Sequence, residues 1–265
     1  MNKLILLSIL QAFITIVGIS AYGARLSGVK SKNLSTAFSL YNILNLGSRF
    51  ANMILLPLLG SLVEDAISTN NINKLTNEFF IILFSVLAGT LLAGLFLPTF
   101  TNFFDKFIEK LVQHRNFSTL FLKEFRIRNL KKIPQIIKTL TIKRVKEYKA
   151  TKLPKTSLWL NPIIVAIYTV GYLSALYAGA LVPENRLVAS QLSSTVNGIG
   201  TILLYLFVDP IVGIISDEVM KGKRDQIEIE TMIFYLWVGR IIGVVMSFAL
   251  LIPLAHFISS IAKFI

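Results

Sequence analysis

LSTAFSLYNILNLGSRFANMILLPLLGSLVED, residues 34–65, is the segment that decides the fold of this chain. Its first 30 residues are mostly apolar and carry one charge, on Arg49. Because about 20 apolar residues suffice to cross a bilayer as an α-helix, the segment predicts a membrane span. Asn42, Asn45, Arg49 and Asn52 recur at a spacing that places them on one face of that helix.

The polar face of this helix is the first candidate for a functional site. A charge at bilayer depth is costly unless it is paired or hydrated, so Arg49 needs a physical reason to be there. Two explanations stay open. Arg49 pairs with an acid in a purely structural bundle, or it lines a polar pathway that binds an anion. Pro57 and Gly60 follow on the same helix and are predicted to loosen it as a hinge.

The composition of the whole chain is typical of an integral membrane protein. Of its 265 residues 54% are hydrophobic and 15% are charged, against about 45–50% and about 25% in soluble domains. The chain has no cysteine, which excludes disulfides and thiolate metal sites. Its two histidines, His114 and His256, are too far apart in sequence to indicate a metal centre, so we predict no metal and no cofactor.

Six spans are predicted, and they define an all-α integral membrane protein with six transmembrane helices. The spans are residues 4–22, 34–65, 79–100, 162–181, 188–215 and 231–258. Gly89 and Gly94 in the third span are predicted to allow close helix contact. The chain divides into a membrane half at 1–100, a basic cytoplasmic loop at 101–157 and a second membrane half at 158–265.

The loop between spans 3 and 4 carries most of the net charge of +13, with 15 Lys or Arg against four acids. Its apolar residues recur at helical spacing, which predicts amphipathic helices on the cytoplasmic leaflet, although a solvated linker is the alternative. These residues are Phe103, Phe104, Phe107, Ile108 and Leu111, and further along Phe121, Phe125, Ile136, Ile137 and Leu140. The predicted partner is therefore an anionic membrane surface and not nucleic acid.

The distribution of Lys and Arg predicts the orientation. If the N-terminus lies outside, the inward segments carry 21 Lys or Arg and the outward segments carry four. Cytoplasmic segments are enriched in these residues, so we predict both termini on the outside. Arg49 and Arg240 lie within spans and do not enter this count.

The two halves match weakly in sequence. In the first half, residues 57–60 read PLLG and are followed by Glu64 and Asp65. In the second half, residues 210–213 read PIVG and are followed at the same spacing by Asp217 and Glu218. Two further short matches fall at nearly the same offset of about 154 residues. Because each half has three spans, the second copy enters the membrane from the opposite side, which predicts a 3+3 inverted-topology repeat typical of secondary transporters.

The copies differ at the polar face, which predicts an asymmetric site. Asn45 and Arg49 correspond to Gly198 and Ile202, so the first half supplies one wall of the site. The opposite wall is expected to contain Asp209 and Arg240. Buried arginine and amide groups suit binding of a phosphate and hydrogen bonding to a sugar or peptide.

The sequence lacks the common motifs of soluble catalysis. There is no G-x-x-x-x-G-K-[ST] phosphate loop, and there is neither G-x-S-x-G nor H-E-x-x-H. No catalytic residue is therefore predicted. Asp209, Asp217 and Glu218 could hold Mg²⁺ for a membrane enzyme that acts on a lipid phosphate or pyrophosphate, which is the alternative function. A scaffold within a membrane complex is a third possibility.

The sequence resembles a known family, the Amj lipid II flippases, which are alternates to the MurJ flippases. The resemblance is densest in spans two and five. It rests on Ala21-Tyr22, Arg25 to Val29, Ser39 to Asn42, Ser48 to Asn52, Pro57 to Gly60, Asn197-Gly198, Val208 to Pro210, Asp217 and Gly222-Lys223.

The resemblance implies translocation of undecaprenyl-pyrophosphate-linked disaccharide-pentapeptide, a lipid-linked cell-wall precursor, across the bacterial cytoplasmic membrane. With the polar face it predicts alternating access between the two halves. The candidate substrate-binding residues are Arg25, Asn42, Asn45, Arg49, Asn52, Asn197, Asp209 and Arg240. The candidate hinge residues are Pro57, Gly60, Pro210 and Gly213. Nothing in the sequence favours one oligomeric state.

Overall fold

The computed structural model describes residues 2–114, 137–149 and 153–265. Within these ranges the chain forms nine α-helices and one short 3₁₀ helix, Pro183–Asn185, and no strand. The helices are α1 Asn2–Lys30, α2 Leu34–Ser68, α3 Ile72–Leu95, α4 Leu97–His114, α5 Ile142–Glu147, α6 Lys155–Leu181, α7 Arg186–Phe207, α8 Asp209–Met220 and α9 Gln226–Phe264.

The prediction of an all-α protein with six spans is confirmed. Six helical segments are long and apolar enough to cross a membrane: α1, α2, α3, α6, the consecutive pair α7 and α8, and α9. Helix α1 runs well past the predicted end of the first span at residue 22. Beyond the uncharged window, Arg25 pairs with Asp209 and Lys30 pairs with Asp105.

Each half is organised around its first span. Helix α1 packs against α2, α3 and α4, and α6 packs against α7 and α9. The halves meet mainly through α3 against α9 and α2 against α6. The interface between the halves therefore runs along the second, third, fourth and sixth spans.

Two glycines allow close contact between the third and the first span of each half. A Cβ at Gly89 of α3 would lie 2.7 Å from the Ala12 carbonyl oxygen of α1. A Cβ at Gly243 of α9 would lie 2.5 Å from the Pro162 carbonyl oxygen of α6. In both halves the third span thus approaches the first span at a residue without a side chain, as small residues permit in membrane bundles.

The fifth span, expected to be one helix, is broken. Helix α7 ends at Phe207, Val208 has φ −112° and ψ −55°, and α8 begins at Asp209 with Pro210 in its first turn. Proline has no backbone N–H, so it cannot continue the hydrogen-bond ladder of the preceding helix. The Ser157 hydroxyl of α6 donates to the Phe207 carbonyl oxygen at 2.8 Å and satisfies an acceptor at the end of α7.

The second span behaves differently, because α2 continues as an α-helix through Pro57. The two proline sites that match in sequence therefore differ in structure. Helix α3 also ends earlier than the predicted third span, at Leu95, and Pro98 lies at the start of α4.

Helix α4 covers the first part of the basic loop, and its apolar face packs on protein. Phe104, Phe107 and Ile108 are buried with Ala24 of α1 and Ala37 of α2. These side chains pack there because α1 and α2 offer them an apolar surface of their own chain, and the location of α4 on the cytoplasmic leaflet stays a prediction.

The remainder of the loop contributes little regular structure to the described residues. Phe121, Phe125 and Ile136 of the predicted amphipathic pattern lie outside them. Ile137 is exposed and Leu140 is half-buried, and both precede the six-residue helix α5. Arg144 of α5 joins this segment to α9 through Glu230, with 2.9 Å between Nη2 and Oε2.

Candidate functional site

A buried ion pair joins the two halves of the protein. Nη2 of Arg25 on α1 lies 3.1 Å from Oδ1 of Asp209 on α8, and the two side chains are 6% and 11% exposed. The hydroxyl of Tyr41 on α2 donates to the same Oδ1 at 3.0 Å. The Arg25 guanidinium carbon also lies 3.7 Å from the centre of the Tyr41 ring, a cation–π contact.

The energetics of this pair make it sensitive to any change in either partner. Burying two charges is compensated only where the pair is close and further hydrogen bonds satisfy it. Asp209 receives two donors, but Nε and Nη1 of Arg25 are buried and have no hydrogen-bond partner among the described residues. Arg25 therefore keeps donor capacity for another acceptor.

A central cavity of about 70 Å³ lies next to this cluster, and its lining is polar and cationic. Arg49 of α2 and Arg240 of α9 both line it. The other polar lining residues are Tyr22, Tyr41, Asn45, Ser48, Asn161 and Tyr168. Among the described residues, no carboxylate lines the cavity. Two like charges around one small space repel each other, so the cavity favours an anion.

Arg49 has no acid as a partner in the part of the chain that the structure describes. Its guanidinium carbon lies 5.2 Å from the centre of the Tyr205 ring. The two acids that could have neutralised it are engaged elsewhere, Asp209 with Arg25 and Glu64 with Arg186 at 2.8 Å. The structure therefore does not support a structural pairing of Arg49 with either acid.

Arg240 is the second cation of the cavity and comes from the other half. It is half-buried, and its Nε is shielded from water without a hydrogen-bond partner among the described residues. Neighbouring Asn161 donates from Nδ2 to the Leu236 carbonyl oxygen at 2.8 Å, which ties α6 to α9 beside Arg240.

The amides of the predicted polar face do not all reach the cavity. Asn45 lines it and uses Nδ2 on the Tyr41 carbonyl oxygen at 3.0 Å, so its Oδ1 remains for another partner. Asn52 bonds the Ser48 carbonyl oxygen at 3.1 Å and is not in the lining, and Asn42 is exposed. The cavity spans only about two turns of α2, so a face that is continuous in sequence is only partly used.

Asn197 also lies outside the cavity lining. Its Oδ1 is buried and has no hydrogen-bond partner among the described residues. This oxygen packs against Gly171, where an added Cβ would lie 2.9 Å from it. Of the candidate residues, the structure therefore gathers Asn45, Arg49 and Arg240 around the cavity and places Arg25 and Asp209 beside it.

The tyrosines and Asn161 are functional candidates that sequence reasoning missed. Tyr22 lies three residues before Arg25, and Tyr41 lies four residues before Asn45, so each shares a helix face with a polar residue already singled out. That spacing was an available signal. Asn161 was missed because the predicted fourth span began at residue 162.

The candidate hinge residues have little packing around them. A Cβ on Gly60 or Gly213 would meet nothing within 4 Å. Pro57 and Pro210 are exposed. These glycines are therefore not required for close helix contact, in contrast to Gly89.

Outside the spans, Tyr148 belongs to the contact that joins the loop to α9. Burial, together with the neighbouring Glu230 carboxylate, raises the pKa of Tyr148 to about 12. Its ring packs on that of Phe234 with 5.2 Å between centroids. The hydroxyl thus stays protonated at neutral pH and donates to Glu230.

The acids that the alternative enzyme would need are not assembled as a metal site. Asp209 is bound to Arg25 and Tyr41, Glu218 pairs with Arg224 at 2.5 Å, and Asp217 is exposed. Within residues 2–114, 137–149 and 153–265 there is no group of three or more His, Cys, Asp or Glu side chains that could hold a metal ion.

Comparisons with known proteins place the chain in a family. The family described as "Amj: Alternate to MurJ" matches residues 10–262. The protein named Lipid II flippase Amj from Bacillus subtilis (strain 168) is 34% identical over 244 residues, which cover 92% of this chain and 90% of that protein. No solved structure matches the chain. Because the family match extends over nearly the whole sequence, this protein belongs to the Amj family.

Proposed function

We propose that this protein is a lipid II flippase. It moves the undecaprenyl-pyrophosphate-linked peptidoglycan precursor across the bacterial cytoplasmic membrane and leaves its covalent structure unchanged. The observation that carries the proposal is the central cavity, where Arg49 of one half and Arg240 of the other line the same space without a carboxylate. The name and the similarity of the Bacillus subtilis relative support it.

The chemistry of the cavity fits the charged part of such a substrate. A pyrophosphate is a multiply charged anion, and guanidinium groups bind phosphate oxygens through paired N–H donors. The free Oδ1 of Asn45 and the tyrosine hydroxyls add hydrogen-bonding groups for a sugar or peptide. The prenyl chain stays in the lipid, because its transfer into a polar cavity would be unfavourable.

The size of the cavity indicates a closed state. A volume of about 70 Å³ is little more than two water molecules at about 30 Å³ each. A disaccharide-pentapeptide cannot fit, so transport requires the two halves to separate around the cavity, as in alternating access. The break at Val208 and the open space around Gly60 and Gly213 offer places where such a movement can occur.

The inverted repeat is part of this proposal. The close contacts of Gly89 with α1 and of Gly243 with α6 support it, because they lie in equivalent spans and are separated by nearly the offset of the sequence matches. In this arrangement the two halves would rock about a site near the bilayer midplane.

The orientation is likewise proposed, with both termini outside and the basic loop in the cytoplasm. Lys and Arg are concentrated in the segments that this orientation places inside. The loop would then lie beside an anionic leaflet, which attracts basic segments and gathers anionic lipid near the protein.

The experiment that tests the function follows a labelled lipid precursor in proteoliposomes that contain the purified protein. We expect the precursor to appear in the opposite leaflet at a rate that depends on the protein, with its mass unchanged. The Arg49→Gln variant is the negative control. A change in lipid mass would favour the enzyme alternative, and a leaflet distribution equal to that of empty liposomes would refute the proposal.

A further inference from the structure

A second and larger cavity lies next to Arg25 of the buried ion pair. Its volume is about 250 Å³, and we call it the vestibule. It is formed between the start of α2 and helix α8, with Arg25 of α1 in its wall. Its lining includes Arg25, Ser35, Phe38, Gly213 and Asp217.

Arg25 supplies the vestibule with a buried, incompletely paired charge. Its side chain is 94% buried, with Nε and Nη1 lacking hydrogen-bond partners among the described residues. A buried donor without an acceptor is unfavourable, and an anion that entered through the vestibule and reached these nitrogens would satisfy it. Arg25 therefore has both the charge and the free donors of an anion-binding group.

The start of α2 adds a second source of positive potential. Ser35 is in the first turn of α2 and lines the vestibule. The side chain of the N-cap residue Asn33 makes no capping hydrogen bond and instead donates to the Ser31 carbonyl oxygen. The first backbone N–H groups of a helix have no intrahelical acceptor and favour an anion.

Asp209 connects a residue of the vestibule with a residue of the central cavity. It binds Arg25, which lines the vestibule, and Tyr41, which lines the cavity. An anion that also draws Nη2 of Arg25 toward the vestibule competes directly with Asp209. The same competition loosens a contact that holds the first half to α8.

We infer that the vestibule is a loading site for the diphosphate group of a polyprenyl-linked substrate, and that the Arg25–Asp209 pair is the gate between this site and the central cavity. The inference rests on the proposed flippase function and goes beyond it in assigning a second substrate site. The vestibule lies on the side that the basic loops assign to the cytoplasm.

The walls of the vestibule favour a lipid-linked diphosphate over a free one. Phe38 is 54% exposed and, with Leu34 and Ala37, makes much of the lining apolar. Such walls can accommodate the first isoprenyl units beside the charged group. The carboxylate of Asp217 repels an anion, but this side chain is exposed, so solvent screens its charge.

The test uses the full-length protein in nanodiscs and exploits the absence of native cysteine. Ser35→Cys places an exposed thiol in the vestibule, and Lys221→Cys places one at the end of α8 outside the lining. The rate of maleimide labelling is measured with soluble inorganic pyrophosphate and, separately, with undecaprenyl pyrophosphate in the nanodisc lipid. We expect both probes to slow labelling at Ser35→Cys severalfold and to leave Lys221→Cys unchanged.

Three variants in the Ser35→Cys background then test the assignment. Arg25→Gln combined with Asp209→Asn removes the proposed anion-binding guanidinium without leaving a buried carboxylate unpaired. It should raise the pyrophosphate concentration needed for half-protection by roughly tenfold or more, the effect of losing a charge-assisted hydrogen bond. Asp209→Asn alone removes the competitor and should lower that concentration. Arg186→Gln, which breaks an exposed ion pair outside both cavities, should not change it.

Several outcomes would overturn the inference. If pyrophosphate does not slow labelling at Ser35→Cys, the vestibule does not bind it. The same conclusion follows if the Arg25→Gln/Asp209→Asn variant is protected as well as the Ser35→Cys parent. Protection by soluble pyrophosphate but not by the lipid would refute a loading role. Weaker protection in Asp209→Asn would refute the gate. If protection follows the expected pattern while no lipid is flipped, the proposed function fails and the vestibule site stands.

Discussion

The guanidinium of Arg49 lies over the ring of Tyr205, with 5.2 Å between its central carbon and the ring centroid. The contact joins α2 of the first half to α7 of the second half. It stabilises the cation without neutralising it, because an aromatic ring offers only a quadrupole. Arg49 therefore remains a full positive charge at the wall of the central cavity, available to a transported anion.

Arg49→Gln is expected to abolish flipping and leave the protein folded. The substitution removes a charge that has no carboxylate partner in the described residues, so no buried acid is stranded. Arg49→Lys keeps the charge but loses the planar pair of donors, and flipping should fall by roughly tenfold or more. The measurements are membrane abundance, thermal stability and leaflet-resolved transport.

A matched control for this experiment is Arg186→Gln, which breaks an exposed ion pair with Glu64 and should leave flipping unchanged. If Arg49→Gln is degraded, and Asp209→Asn in the same chain restores both abundance and flipping, Arg49 has a structural role and the substrate role is refuted.

Gly94→Ala is expected to destabilise the contact between the halves. A Cβ at Gly94 would lie 1.9 Å from Cε2 of Trp237 on α9, whose Nε1 donates to the Thr90 carbonyl oxygen at 2.8 Å. Overpacking of this kind costs about 1–3 kcal/mol. Thermal unfolding in detergent measures the loss, and Gly47→Ala, which meets nothing within 4 Å, is the control. Equal stability of the two variants would show that the ring moves away freely.

Gly213→Ala tests the proposed hinge in the fifth span. No atom lies within 4 Å of the added methyl group, so packing is unaffected, and alanine favours the helix by roughly 0.5–1 kcal/mol over glycine. We expect unchanged or higher thermal stability together with slower flipping, because a stiffer α8 resists the movement of the halves. The Gly47→Ala variant should flip lipid at the normal rate. Normal transport by Gly213→Ala would exclude a hinge at this residue.

Single cysteines test the proposed orientation on a chain without native cysteine. Lys221 follows α8 and Asn71 precedes α3, and both are exposed. In whole cells an impermeant thiol reagent should label Asn71→Cys and not Lys221→Cys, and permeabilisation should expose the latter. The reverse pattern would invert the orientation and place the vestibule on the outer side.

Much of the architecture followed from local patterns. Hydropathy predicted the six spans, and the small residues Gly89 and Gly94 correctly indicated close helix contacts, since each packs against another helix. The break at Val208 was harder to predict from the sequence. Pro210 indicated a weak point, but an equivalent proline in α2 leaves the helix continuous, so the outcome depends on neighbours such as Ser157.

Hydropathy, charge and helical periodicity are properties of contiguous residues, so they were enough to predict an all-helical membrane protein with arginines inside its spans. Which charges meet depends instead on how the helices pack in the folded protein. Tyr41 and Asp209 are separated by 168 positions, and no local pattern reveals that Asp209 binds Arg25 and leaves Arg49 unpaired. The physical reason is that a buried charge is neutralised by proximity in space, which is set by the packing of helices from both halves.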